Sequence, residues 1–246
     1  FIIQSTSKPQ NDNLMELLII ADALRRNGCK NIIAIIPYFG YARQDRKARP
    51  GTPISAKLVA DMITASEINE VITFDLHSNQ IEGFFNIPIS NLSVHSLFKK
   101  DIEKKFMENE IVVVSPDAGS ATKARNFAKM LKCDFAIIDK KREKANQSEA
   151  MSVIGDIAGR NCIIIDDMID TAGTLCNAAN KLDEKGAKLV SCYATHGIFS
   201  GKALHRIKTS VLESVIVTNT IQQKSLVKKI KVISISSYLS NYIRKI

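Results

Sequence analysis

The densest run of chemistry-bearing residues is Ile163-Ile164-Ile165-Asp166-Asp167-Met168-Ile169-Asp170-Thr171-Ala172-Gly173-Thr174. It reads as an apolar strand ending in paired acids, then a turn of small residues that opens a helix. In a parallel sheet the ligand crevice lies beyond the carboxyl ends of the strands, so Asp166 and Asp167 are expected to emerge there. The backbone N–H groups of Thr171, Ala172, Gly173 and Thr174 fall at a helix N-terminus, where unpaired donors and the helix dipole favour a phosphate. Adjacent carboxylates repel one another and sit poorly beside a phosphate unless hydroxyls or a metal draw on them. A ribose 5-phosphate satisfies both ends: its vicinal hydroxyls donate to the acids and its phosphate accepts from the loop. The plainer alternative is that Asp170 or Thr171 caps a helix and the acids are a solvated strand end. The complete string, in order and in context, is more specific than that.

Four other stretches carry reactive side chains. Pro37-Tyr38-Phe39-Gly40-Tyr41-Ala42-Arg43-Gln44-Asp45-Arg46-Lys47 sets two arginines and a glutamine just past a strand, where forked donors can bracket polyphosphate and adenine. Read blandly, it is a solvated basic face. Asp75-Leu76-His77 also follows a strand, and a lone histidine there is more often structural; imidazole is not the hard oxygen ligand that magnesium prefers. Ser115-Pro116-Asp117-Ala118-Gly119 offers a carboxylate, and a glycine that lets backbone approach phosphate oxygens. Ile138-Asp139-Lys140-Lys141-Arg142-Glu143-Lys144 is a cationic stretch. Rival phosphate loops fail: Gly197-Ile198-Phe199-Ser200-Gly201-Lys202-Ala203 is one residue short of a Walker loop and lacks Ser or Thr after the lysine, and no G-x-G-x-x-G follows a strand.

The elements that must position these residues follow from period and punctuation. A short apolar run, 1–4, precedes Asn11-Asp12-Asn13, which is expected to cap a helix through about Asn27 closed by Gly28. Strand 31–36, the polar stretch 38–53, a helix from about Ser55 and strand 71–74 complete a first group. A second group starts at Val94: helix to about Phe106, strand 111–114, helix 120–131, strand 135–138, polar stretch 140–148, strand 163–165, helix 174–185 and strand 189–193. Strands that are continuous Ile/Val runs belong to parallel sheets covered by helices on both faces, so the expected fold class is doubly wound α/β. Strands ending at His77 and at His196, each with a basic loop upstream, hint at two copies of one unit, though chance gives the same echo.

Composition narrows the function classes. With 45% hydrophobic and 24% charged residues the chain is an ordinary globular one. Its net charge of +9 favours anionic partners. Dispersal of that charge, and the lack of any Trp to stack on a base, favour small phosphorylated ligands over nucleic acid. Five scattered cysteines with no C-x-x-C pair indicate neither a zinc site nor a disulfide framework, so a reducing, cytoplasmic setting is expected. The apolar run 14–24 contains Glu16 and Asp22 and is too short and too charged to cross a bilayer, and no signal peptide is visible.

Taken together, these motifs resemble the ribose-phosphate diphosphokinases, or PRPP synthetases. The Asp166 to Thr174 string resembles the signature those enzymes share with type I phosphoribosyltransferases. The Arg43 to Lys47 stretch resembles their ATP-contacting segment, and 75–85 resembles their D-L-H-x-x-Q-I-x-G-F-F segment. The resemblance implies Mg2+-dependent transfer of the diphosphate of ATP to the 1-hydroxyl of ribose 5-phosphate, feeding nucleotide biosynthesis. It implies Lys140 and Arg142 as catalytic cations on a mobile loop, and Arg43, Gln44, Asp45, Arg46 and His77 as the ATP site. Asp166, Asp167, Asp170, Thr171, Ala172, Gly173 and Thr174 become the ribose 5-phosphate site, and His77 and Asp117 the metal site. It further implies two tandem phosphoribosyltransferase-like domains and a homohexamer. The first domain would cover 1–92 and the second 93–246, with the terminal helix able to pack back on the first. Departures from the family pattern are Ser120 at a usual glycine, and Lys141, Glu143 and Lys144 where Arg, Pro and Arg are common.

The family's F-x-D-G-E portion does not precede Phe1, and its usual tail does not follow Ile246. A chain of this extent is expected to lack strands of its first sheet and one wall of the adenine site, with low stability and weak ATP binding. Two other readings compete: a non-catalytic regulatory subunit of the same fold, against which intact Lys140, Arg142, His77 and Asp117 argue, and a phosphoribosyltransferase, disfavoured by the Arg43 to Arg46 segment.

Overall fold

Runs of β-branched residues with no polar face must be covered on both sides, and these are: Val112, Val113 and Val114 are wholly inaccessible, as are Cys162, Ile163 and Ile164. The structure, a computed structural model, describes residues 1–106, 110–141 and 150–246. The chain divides into two units, Phe1–Val94 and His95–Ile246.

In the first unit β1 (Ile2–Ile3), β2 (Ile33–Ile36), β3 (Glu70–Phe74) and β4 (Ile89–Leu92) form a sheet in that order, parallel throughout. Helices α1 (Gln10–Arg26) and α2 (Ser55–Ala65) bury Leu14, Leu17 and Ala21, and Ala56, Val59, Ala60 and Ile63. These residues join Ala34, Ile36 and Val71 of the strands in one core. The i, i+3, i+4, i+7 spacing in each helix is the reason that a single stripe faces the sheet.

In the second unit a seven-stranded sheet contains β5 (Ile111–Ser115), β6 (Asp134–Lys141), β7 (Ala150–Ile154), β8 (Asn161–Ile169), β9 (Leu189–Gly197), β10 (Ser214–Thr218) and β11 (Ile230–Ile233), in the order β11-β10-β9-β8-β5-β6-β7. All neighbours are parallel except β6 and β7. The side-chain period of two sorts the faces. On one, Cys162, Ile164, Cys192 and Ala194 pack with Leu175, Ala178, Ala179 and Leu182 of α5 (Gly173–Glu184) and with Ala203 and Ile207 of α6 (Ala203–Thr209). On the other, Tyr193 meets Phe98 of α3 (His95–Glu103) edge-on at 5.4 Å. On the same side Phe127 of α4 (Ala121–Leu131) is inaccessible, with its ring 5.0 Å from that of His95. Truncating a core leucine such as Leu182 to alanine costs roughly 2–5 kcal/mol at sites of this kind. Helix α7 (Ser236–Ile243) follows β11 and buries Leu239. The architecture is therefore mixed α/β with parallel sheets, as the sequence predicts, with helices on both faces of the second sheet.

Several boundaries differ from expectation. Helix α1 begins at Gln10, its N-cap is Pro9, and no side chain caps it; Asn13 instead donates to the Ser7 carbonyl at 2.8 Å. Gly28 does end the helix region, at φ 86° with its N–H on the Arg25 carbonyl at 3.0 Å. Strand β4 escapes a reading by hydropathy because its centre is Ser90-Asn91; pairing with β3 creates it. Strand β7 forms by antiparallel pairing with β6, just after the stretch that reads as polar up to Ser148. Strands β8 and β9 each run about four residues beyond their apolar runs, to Ile169 and Gly197, because they pair with each other that far. The acids Asp166 and Asp167 thus lie inside β8 rather than at its end, and His196 lies inside β9.

Candidate functional site

Strand register creates the second unit's crevice. The β5–β8 ladder ends at Val114↔Ile164, whereas β8–β9 continues to Ile169↔Gly197. Asp166 and Asp167 therefore project past the end of β5, at the sheet edge where the loop after Ser115 turns away. That loop is tied to itself. The Ser115 hydroxyl donates to the Asp117 carbonyl at 2.7 Å, and the Ser120 N–H and hydroxyl donate to Asp117 Oδ1 at 2.9 and 3.0 Å. Ser120, where the resembled family has glycine, thus orients the carboxylate of Asp117. Gly119 allows this: a Cβ there would lie 3.3 Å from Asp117 Oδ1.

The three acids feel one another. Burial first, then the Asp167 carboxylate, push the Asp166 carboxyl well above the usual carboxylate range, and Asp117 adds to the push from the neighbouring loop. The Asp167 N–H donates to Asp166 Oδ1 at 2.9 Å and offsets a part of this. A half-buried acid pair held this way attracts hydroxyl donors or a cation.

Beyond Ile169 the chain turns into α5. Ala172, the N-cap of α5, occupies the left-handed region at φ 59° with no side chain capping the helix, so the N–H groups of the first turn have no cap partner. Thr171 and Thr174 are exposed, Gly173 is half-buried and Ala172 is buried. The segment after β9 laces the turn in place: Ile198 and Phe199 N–H groups donate to the Ile169 carbonyl at 2.9 and 3.1 Å, and Ser200 N–H to the Asp170 carbonyl at 3.0 Å. The Ser200 hydroxyl also donates to the Asp170 carboxylate. From α6, Arg206 Nη1 donates to the Thr171 carbonyl at 2.8 Å. Neither Ser200 nor Arg206 stood out in the sequence; the near-miss Walker run 197–203 was the visible signal, and it marks this lacing segment.

β6 runs parallel to β5, so its carboxyl end at Lys141 leaves the sheet on the same side as Asp117 and Asp166. The backbone of Lys140 pairs with Met151. Arg142 lies outside the described residues.

In the first unit the expected residues sit on two braced loops. Thr6, buried beyond the end of β1, accepts the Gly40 N–H on its hydroxyl at 2.7 Å and donates to the Tyr38 carbonyl at 3.0 Å. A Cβ on Gly40 would collide with the Thr6 carbonyl, so only glycine fits. Asp45 turns inward, 9% exposed, and its Oδ2 accepts from Ser78 at 2.5 Å and from Gln80 at 2.8 Å. Gln44 accepts from the Ser55 hydroxyl, and its carbonyl takes the Ala56 N–H at 3.1 Å, which fastens the loop to α2. Arg43, Arg46 and His77 are left exposed. Asp45 thereby joins the arginine loop to the histidine loop. The turn at His77 is fixed on its other side by Asp75, at φ 37°, whose carboxylate accepts from the Val94 N–H at 3.0 Å.

A family model described as the N-terminal domain of ribose phosphate pyrophosphokinase matches residues 1–66, and one described as a phosphoribosyl synthetase-associated domain matches residues 142–246. A ribose-phosphate pyrophosphokinase of Helicobacter hepaticus is 53% identical over 246 residues, covering 100% of this chain and 79% of the relative. One from Agrobacterium fabrum is 50% identical over 248 residues, covering 100% of this chain and 80% of the relative. The chain belongs to the ribose-phosphate pyrophosphokinase family. In the same family, the crystal structure of phosphoribosylpyrophosphate synthetase from Mycobacterium smegmatis superposes with a TM-score of 0.93 at 41% identity, covering 99% of this chain and 80% of that one. Among the described residues of this pyrophosphokinase family member, no helix is long and apolar enough to cross a membrane.

Proposed function

We propose that this chain is a ribose-phosphate pyrophosphokinase, which moves the diphosphate of ATP to the 1-hydroxyl of ribose 5-phosphate and yields PRPP and AMP. The observation that carries this reading is the convergence, at one edge of the second sheet, of an acid pair suited to ribose hydroxyls and a left-handed turn whose helix N–H groups suit a phosphate. The C1–O bond of the sugar is kept; a new O–P bond forms at the β-phosphorus, the bond from that phosphorus to the α-bridging oxygen breaks, and the hydroxyl proton leaves to solvent or base.

Asp166 and Asp167 accept hydrogen bonds from the 2- and 3-hydroxyls, which donate best to the ionised carboxylates. Asp170, held by Ser200, shapes the turn. Thr171, Ala172, Gly173 and Thr174 take the 5-phosphate on their N–H groups and hydroxyls. Arg43 and Arg46 bind the ATP phosphates by forked donors, with Gln44 and His77 beside them and Asp45 bracing the pair of loops. Lys140 and Arg142 neutralise the charge that spreads over the transferring diphosphate and hold the hydroxyl in line; such reactions rest almost entirely on positioning and electrostatics.

Magnesium fits as the cofactor. Among the described residues no three His, Cys, Asp or Glu side chains form a ready-made metal cage. Magnesium needs none, since it keeps waters and binds through one or two carboxylates plus substrate phosphates. His77 is assigned to the magnesium of MgATP, and Asp117, with one oxygen held by Ser120, to a second magnesium. When bound, these ions would screen the diphosphate charge. Five free, scattered cysteines support a cytoplasmic setting, and we assign a homohexamer as the assembly, to be checked by sedimentation.

Incubated with ATP, magnesium and ribose 5-phosphate, the protein should release AMP and PRPP in equal amounts. Lys140→Ala should cut turnover by about 10³-fold or more, as loss of a transition-state cation does, with ribose 5-phosphate binding intact. ATP consumed without AMP, or no consumption at all, would refute the assignment.

A further inference from the structure

Arg206, which no motif drew into the site, is a cation that hydrogen-bonds the phosphate turn directly. We infer that Arg206 is a positioning residue for the 5-phosphate of ribose 5-phosphate: from α6 it ties down the Thr171 carbonyl and sets a fixed positive charge at the N-terminus of α5. The inference rests on the assignment of that turn to the sugar phosphate made above.

Three observations support it. The Nη1 of Arg206 donates to the Thr171 carbonyl at 2.8 Å, and a Cβ built on Gly173 would lie 3.6 Å from the same atom. The guanidinium therefore stands beside the first residue of α5, not at a distance from it. No described carboxylate forms an ion pair with Arg206. A surface arginine normally gains from an acidic neighbour, and this one instead meets the Thr171 carbonyl beside Gly173. The charge also reaches the interior: burial raises the Cys176 thiol, and the Ser210 hydrogen bond, then Arg206 and Lys229, offset part of that push.

The position is built rather than incidental. Ala203 and Ile207, four apart on α6, are inaccessible and packed in the same core as Leu175 and Ala178 of α5. That packing fixes the α6 backbone, and Arg206, at i+3 from Ala203, emerges beside the turn. The Thr171 carbonyl lies on the turn just before α5, and an unpaired carbonyl beside a phosphate would repel it; Arg206 occupies that oxygen. An arginine can satisfy that carbonyl with one N–H and keep four more for the ligand, whereas a lysine offers one point charge.

The test is steady-state kinetics on Arg206→Gln and Arg206→Lys, with thermal melts as the folding control. Gln can still donate to the carbonyl but carries no charge; Lys keeps the charge. The expected result is that Arg206→Gln raises KM for ribose 5-phosphate about tenfold, the size of one charge-assisted contact, with kcat and the KM for ATP within about twofold. Arg206→Lys should recover most of that loss. Increasing salt should raise the wild-type KM more steeply than that of the Gln variant, because the screened charge is absent from the latter. A Gln variant with the wild-type KM for ribose 5-phosphate overturns the inference alone. So does a Gln variant that loses kcat and melting temperature together and is not rescued by Lys, since that is a structural role. A wild-type protein that neither binds nor turns over ribose 5-phosphate overturns the functional assignment, and this inference with it.

Discussion

The two units of this molecule hold their reactive residues in place by different means. In the first, side chains brace loops: Thr6 grips Gly40, Asp45 grips Ser78 and Gln80, and Ser55 grips Gln44. In the second, backbone pairing sets the frame on which side chains then act: the β8–β9 ladder runs to Ile169↔Gly197, and the Ile169 and Asp170 carbonyls receive the N–H groups that follow β9. The two histidines make the same contrast. His77 is exposed on a side-chain-braced turn, whereas His196 is 2% exposed within β9, with Nδ1 2.9 Å from the Thr220 hydroxyl. A sequence pattern of strand followed by histidine thus led to a solvent-facing group in one unit and a core group in the other. The lesson is that a ladder extended by its partner buries what a bare strand end would expose.

The comparison can be broken most decisively at the acid pair. Replacing both Asp166 and Asp167 by Asn should weaken ribose 5-phosphate binding about 100-fold, as two charge-assisted hydrogen bonds are lost, and leave ATP binding nearly unchanged in calorimetry. The same change removes a buried repulsion, so the melting temperature of the ligand-free protein at neutral pH should rise, by about 2–4 °C for each kcal/mol relieved. A fall in melting temperature would show that the pair is structurally satisfied and not poised for a ligand.

Asp45→Asn probes the side-chain-braced unit and should give the opposite pattern. Ribose 5-phosphate binding should stay intact. The KM for ATP should rise about fivefold and stability should fall by about 1–2 kcal/mol in urea, the cost of weakening bonds to a partly buried acceptor. Equal loss of both substrates' binding would erase the distinction between the units.

The smallest effect is a pH dependence. Because the folded, ligand-free protein holds the Asp166 carboxyl above its unfolded range, it carries a proton there that an unfolded chain would have shed. Ligand-free stability should therefore decline as pH rises from the unfolded carboxylate range through the raised folded value. Ribose hydroxyls prefer the ionised acid, so affinity for ribose 5-phosphate, measured in EDTA, should rise over that same window. Asp166→Asn should flatten both slopes.

Much of this was legible in the sequence. Continuous Ile/Val runs identified the parallel strands, helix stripes identified the core faces, and the Asp166 to Thr174 string pointed to a sugar phosphate. Both signals are local: one depends on the period of side chains along a single element, the other on neighbours within twelve residues. What escaped was created by contact between distant segments. β4 and β7 exist because β3 and β6 offer edges to pair with, although Ser90-Asn91 has no strand-like hydropathy. Asp45 reads as one more charged residue of a basic loop, and only its hydrogen bonds to residues 33 and 35 positions away turn it inward.

The sequence by itself determined the class of the fold, the identity of the acids and the small-residue turn, because hydrophobic period and turn chemistry act over a few residues. The tertiary structure decided how far β8 extends, which histidine is buried, and that Arg206 stands over the Thr171 carbonyl. Those outcomes depend on register between strands and on the packing of one helix against another. No stretch of chain read alone contains that information.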